Sequence, residues 1–322
     1  MANGESFDRG VSRFGRSLAA RRFRVDMSTV NAYFWVGRLS EGGLNDALKG
    51  AQPTDDPMSH LSLPALFERR LGHDVARLSE MAKTASRWRR LLTLVMITSS
   101  FERFLSDIAR VAMDSDPLLQ EGFPKLIDGA QLIKRGIVFP PREVSGLVVG
   151  DWNSRLACYA SYFGTPPDGL RSALSDLEFL RRTRNQVAHS LGVDDGFNGG
   201  ARGGRDPQAS ILDQLLGVRR PELLPGATVS DARLMKLMAT VQRAADGIDA
   251  ALLGSHIGAY EIVELYLDWI SNPEGFESRT GVVLTGHRLQ QENRFRFVIG
   301  ELLGVGLGDK YLEGLSRFVG GL

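Results

Sequence analysis

Between Leu170 and Leu191 the apolar residues of this chain recur at helical intervals, and no other feature restricts its fold as strongly. At about 100° per residue, Leu170, Ala173, Leu177, Leu180, Val187, Ala188 and Leu191 gather on one stripe. Arg184 falls near the middle of that stripe, while Asn185 and His189 lie beside it on the polar flank with Glu178 and Arg182. An always-charged guanidinium in an apolar seam is costly unless something anionic meets it. The helix therefore gives up stability here and presents an arginine, an amide and an imidazole together.

Helical spacing also governs most of what lies on either side. Phe67, Leu71, Val75 and Leu78 predict one helix, with Pro64 in its first turn. A stronger one carries Leu94, Ile97, Phe101, Phe104, Leu105 and Ile108, with Glu102 and Asp107 at the edge of the stripe. Shorter helical pieces are predicted over 117–135 and 152–163, and Asp168 is placed as the N-cap of the arginine-bearing helix. Leu234, Leu237, Met238, Val241, Ala245, Ile248 and Leu252 predict a long helix over 231–253, followed by another over 259–270. Two amphipathic pieces, around 297–303 and 311–318, close the chain. The exception is residues 1–58, a polar segment whose piece from Thr29 to Val36 is rich in aromatic and branched residues and reads as a strand. Residues 196–207 form a glycine-rich loop after a helix stop at Gly192; they lack the Gly-Lys-Ser/Thr ending of a phosphate-binding loop.

Composition narrows the chemistry. A formal net charge of +1 is no attraction for a polyanion, so RNA binding requires a local basic surface. The one cysteine, Cys158, leaves no intrachain disulfide and no cysteine-rich metal site. His60, His73, His256 and His287 are scattered without metal-ligand spacing and read as structural or surface residues. No metal and no cofactor is expected. Arg21-Arg22-Phe23 has the look of a twin-arginine signal, but Asp26, Ser28 and Asn31 interrupt any apolar core after it. The run from Leu91 to Ile97 is too short to cross a bilayer, and the reading is a cytoplasmic protein without a membrane partner.

Arg184-Asn185 followed by His189, at the end of a late helix in a helical bundle, resembles the HEPN superfamily. Glu102, in Ser99-Ser100-Phe101-Glu102-Arg103, matches the acidic residue that these domains often carry on an early helix facing the arginine. The resemblance covers residues 59–255, leaving 1–58 as an N-terminal segment and 256–322 as a mostly helical C-terminal extension. It implies a mainly α, antiparallel bundle that pairs with a second copy through the motif helix. It also implies metal-independent cleavage of RNA by attack of a 2′-hydroxyl on the neighbouring phosphate, giving a 2′,3′-cyclic phosphate, as in toxin–antitoxin and phage-defence proteins. In that reading Arg184 stabilises the phosphorane, His189 moves the proton, and Asn185 and Glu102 position them. Arg184 and His189 diverge by about 140° on a regular helix, which favours a site shared by two copies. Arg181, Arg182, Arg202 and Arg205 are candidates for contact with the RNA backbone. An antitoxin or another defence-complex component is a further possible partner. Leu191 stands where some HEPN toxins carry a tyrosine that a partner nucleotidyltransferase modifies, so neutralisation by that route is not expected.

A plainer chemistry fits the same residues. Histidine near a helix C-terminus is favoured by the helix dipole alone. Arg184 with Glu102 is equally an ion pair that fixes a bundle, and Arg181 and Arg182 are equally solvated helix charges. Such a module would be an inactive HEPN-like dimerisation or sensor platform. Trp88, Phe101 and Phe104 read as core, and Trp152, Tyr159 and Tyr162 are better placed for packing than for base stacking.

Overall fold

The computed structural model describes residues 6–61, 74–190, 229–280, 291–303 and 306–320. Every regular element among them is helical: α1 (Leu18–Ala47), α2 (Val75–Ser115), α3 (Gly129–Lys134), α4 (Trp152–Phe163), α5 (Asp168–Ser190), α6 (Asp231–Leu252), α7 (Tyr260–Ser271), α8 (Pro273–Thr280), α9 (Gln291–Leu303) and α10 (Asp309–Gly320). Short 3-10 turns lie at Pro57–Ser59 and Ser145–Leu147, and a π turn at Leu253–Ile257 prolongs α6. The fold is mainly α, and no helix among the described residues is long and apolar enough to cross a membrane.

The strand read over 29–36 is instead the middle of α1. Phe23, Met27, Val30 and Phe34 are buried at intervals of four, three and four, whereas Tyr33, Trp35 and Val36 are exposed. The local richness in aromatic and branched residues mimics a strand, but tertiary burial follows the longer helical period. Two helices expected around Leu78 and Phe101 merge into the single 41-residue α2. Of the piece expected over 117–135, only α3 forms, opened by the Asp128 carboxylate accepting from the Ala130 N–H. Asp168 is the first residue of α5 and not its cap, since the Pro167 carbonyl takes the N–H groups of Leu170 and Arg171. Phe67 and Leu71, with the helix start at Pro64, Gly192 and the glycine-rich loop, lie outside the described residues.

The chain divides into two compact units, one gathering Met1–Arg24, Phe101–Leu174 and Gln242–Leu322, the other Val25–Ser100 and Ser175–Val241. Within the first, Phe23 packs on Phe101 and Phe104, with ring centroids 6.0 and 5.3 Å away, and Trp152 stacks on Phe101 at 5.7 Å. A second aromatic group joins Tyr266, Trp269, Phe276 and Phe295 from α7, α8 and α9. Arg9 ties this unit together: its guanidinium bonds Asp128, the Ser115 hydroxyl and the Ile257 carbonyl.

The second unit holds the four segments of α1, α2, α5 and α6 that fall in its range. Their buried faces carry Met27, Val30 and Phe34; Leu91, Leu94 and Ile97; Leu177, Leu180 and Val187; and Leu234, Leu237 and Val241. Ion pairs at the margins link each helix to a neighbour. Arg89 on α2 meets Glu41 on α1, Arg90 and Arg38 converge on Asp231 at the start of α6, and Arg233 reaches Asp176 on α5. Gly37 is required where Arg89 crosses α1, because a Cβ there would lie 2.5 Å from the arginine Cδ.

Candidate functional site

The last turns of α5 present the residues singled out from the sequence. Leu177, Leu180, Thr183 and Val187 are buried, and Arg184 rises between them half-buried. Its Nη1 donates to the Asn185 Oδ1 at 2.9 Å. That bond between successive residues holds the guanidinium against the neighbouring amide. Ala188, assigned to the stripe, is exposed, because the apolar face narrows at its edge as the helix ends. His189 is the penultimate residue of α5. Leu191, Arg202 and Arg205 lie outside the described residues.

Six residues before Arg184, Glu178 gathers two more arginines. Arg181 reaches its two oxygens at 2.7 and 2.9 Å, and Arg182 adds a bond of 2.8 Å. Arg182 nevertheless keeps 70% of its side chain exposed, against 20% for Arg181. Of the two, Arg182 is therefore better placed to meet a polyanion, and an exposed pair of this kind adds little stability.

Glu102 belongs to the first unit, where it serves a residue that the sequence reading missed. Arg155 on α4 donates to the Glu102 carboxylate at 2.9 Å and to the Gly150 carbonyl at 3.1 Å, and its guanidinium lies 4.9 Å from the centre of the Trp152 ring. Its side chain is only 4% exposed. The sequence signal is slight: Trp152 and Arg155 stand three apart on a predicted helix, which places them on one face. Trp152 and Tyr159 are buried, in agreement with a packing role for them.

His256, which the sequence reads as structural or surface, is a largely buried structural residue. It sits in the π turn, with Nδ1 3.2 Å from the Asp116 carboxylate and its ring 5.8 Å from that of Phe163. Asp116 is buried and also accepts from the backbone N–H of Lys125, which holds an uncommon positive φ of 62°. The π turn frees carbonyls that a regular helix would use, and Ser115 accounts for two of them: its hydroxyl lies 2.7 Å from the His256 oxygen and 3.2 Å from that of Ile257.

Comparison of the chain with protein-family models, with curated proteins and with solved structures gives no match.

Proposed function

We propose that this chain is a HEPN-type, metal-independent endoribonuclease acting as a toxin or anti-phage effector. The observation that carries the reading is the pairing of a half-buried Arg184 with Asn185 in the final turns of a helix that ends just beyond His189. A planar guanidinium held by its neighbour matches the oxygens of a crowded phosphorane. The 2′-hydroxyl gives up its proton and attacks phosphorus; the P–O5′ bond breaks, the leaving oxygen is protonated, and a 2′,3′-cyclic phosphate remains. Two copies of His189 from two chains, paired through the motif helix, supply base and acid. Asn185 positions the arginine, and Arg182, with Arg181 behind it, meets the RNA backbone.

A non-catalytic dimerisation or sensor module is the second reading. It is favoured by the way Glu178 takes up both Arg181 and Arg182 while Arg155 takes up Glu102, so that charges offered to RNA are balanced within the chain. Purified protein incubated with total RNA in EDTA separates the two. The ribonuclease reading expects cleavage with 2′,3′-cyclic ends, lost in Arg184→Ala and His189→Ala while the circular dichroism spectrum is retained. RNA left intact at high protein concentration overturns it in favour of the module.

A further inference from the structure

The outer face of α1 between Val25 and Gly43 carries no charged residue. Val25, Val36 and Leu39 are 66%, 64% and 77% exposed, and Tyr33 and Trp35 beside them are 42% and 49% exposed. The charged residues of the stretch lie off this face: Arg38 and Glu41 are bonded to Asp231 and Arg89, and Asp26 projects to one side. The hydroxyls of Thr29 and Ser40 fold back onto the carbonyls of Val25 and Val36, each at 3.0 Å, so these two are satisfied within the helix.

The centre of this face repeats at intervals of four and three, through Val25, Thr29, Ala32, Val36, Leu39 and Gly43. That is the seam of a two-stranded coiled coil, where apolar positions recur every 3.5 residues. Reversing the seam against itself about position 34 sets Val25 against Gly43, Leu39 against Thr29, and Val36 against Ala32. Each layer then matches a larger residue with a smaller one. Parallel pairing instead sets Gly43 on Gly43 and Ala32 on Ala32, which leaves gaps. In the reversed register Trp35 meets Trp35 of the partner on one side of the axis and Tyr33 meets Tyr33 on the other, so the large aromatics fall at the centre, where anchors of an interface concentrate. Gly43 fits the same pairing: a Cβ there would meet nothing among the described residues, which leaves room for the close approach of a partner helix.

We infer that α1 is a homotypic contact surface, pairing antiparallel with α1 of a second copy of this chain around Trp35. The seam is about 27 Å long at about 1.5 Å per residue, and the contact is proposed as a small, reversible one. It is separate from the pairing of motif helices in the ribonuclease reading.

Light scattering and sedimentation of the full chain from about 1 to about 100 µM, the range suited to a small interface, provide the test. The mass of the parent is expected to double across that range. Ala32→Lys and Val36→Glu, each on the exposed face, are expected to weaken association at least tenfold with helix content unchanged. Mixing the two in equal amounts is expected to restore it, because only the antiparallel register sets position 32 against the partner's position 36. A parent mass that never rises, single variants that associate like the parent, or a mixture that fails to recover would each overturn the proposal. RNA cleavage by Arg184→Ala, measured on the same samples, reports on the ribonuclease reading independently.

Discussion

Glu261 on α7 accepts the backbone N–H of Leu18 through both carboxylate oxygens, at 3.1 and 3.2 Å, and in doing so caps the start of α1 from a wholly buried position. Asp249 lies beside it, taking the N–H and the hydroxyl of Ser17. A carboxylate at a helix N-terminus is favoured as the anion, whereas removal from water favours the acid. Burial wins: it pushes the Glu261 carboxyl to about 8 in spite of the Leu18 bond, with the neighbouring Glu264 and Asp249 adding to the rise. Burial also holds Asp249 above its ordinary range, against the two bonds from Ser17.

This pair sets a pH dependence with a definite sign. Between about 4.5, where an unfolded glutamate loses its proton, and about 8 in the fold, the folded chain binds a proton that the unfolded chain has released. Stability is therefore full at low pH within this window, falls as pH rises through it, and levels off above it; Asp249 acts in the same direction. Glu261→Gln keeps an oxygen for Leu18 and carries no charge. Thermal melts from about pH 5 to about pH 9 are expected to show a shallower decline for the variant, which becomes the more stable form at the alkaline end. Parallel curves for parent and variant would contradict the assignment.

The Arg155–Glu102 pair makes a second, stricter demand on residue type. Removing the arginine leaves a largely buried carboxylate without its main cation, a change that typically costs about 3–5 kcal/mol. Arg155→Met is expected to lower the denaturant midpoint accordingly. Arg155→Lys is expected to recover less than half of the loss, because an ammonium cannot bond Gly150 and Glu102 together while lying flat over Trp152. Full recovery by lysine would show that charge alone matters at this site.

What could be read from the residues, and what could not, follows from the range of the forces involved. α4 and α6 were legible because their apolar residues keep helical spacing between cappable ends; Asp151 accepting from the Ser154 N–H is one such end. α1 was not, because eight residues from Thr29 to Val36 have strand composition, and only the buried set Phe23, Met27, Val30 and Phe34 reveals the helical period. At the candidate site, the place of Arg184 in the apolar face was visible in the spacing. Its bond to Asn185 was not, because successive residues of a helix do not share a face. The partnership of Arg155 with Glu102, or of His256 with Asp116, joins residues 53 and 140 positions apart, and no local pattern announces it.

The π turn after α6 depends on such a distant partner. Its displaced carbonyls at His256 and Ile257 are met by the Ser115 hydroxyl, and Arg9 donates both to that hydroxyl at 2.8 Å and to the Ile257 oxygen at 2.9 Å. Ser115→Ala removes the hydroxyl without adding bulk, so it leaves one carbonyl unmet and takes one acceptor from the buried side of Arg9. Leaving such groups unsatisfied costs about 1–3 kcal/mol, and the cost falls on the turn before it reaches the whole unit. Two amides report it directly: Gly258 N–H, bonded to Leu253 at 3.0 Å, and Ala259 N–H, bonded to Arg9 at 3.0 Å. Hydrogen exchange at both is expected to quicken by about tenfold or more in Ser115→Ala, at about 1.4 kcal/mol per factor of ten, while amides in the middle of α7 change only by the loss in global stability. Ser115→Thr, which restores a hydroxyl, is expected to recover protection at Gly258. Uniform acceleration across α7 and the turn would mean that Ser115 supports the unit as a whole and has no particular hold on the turn.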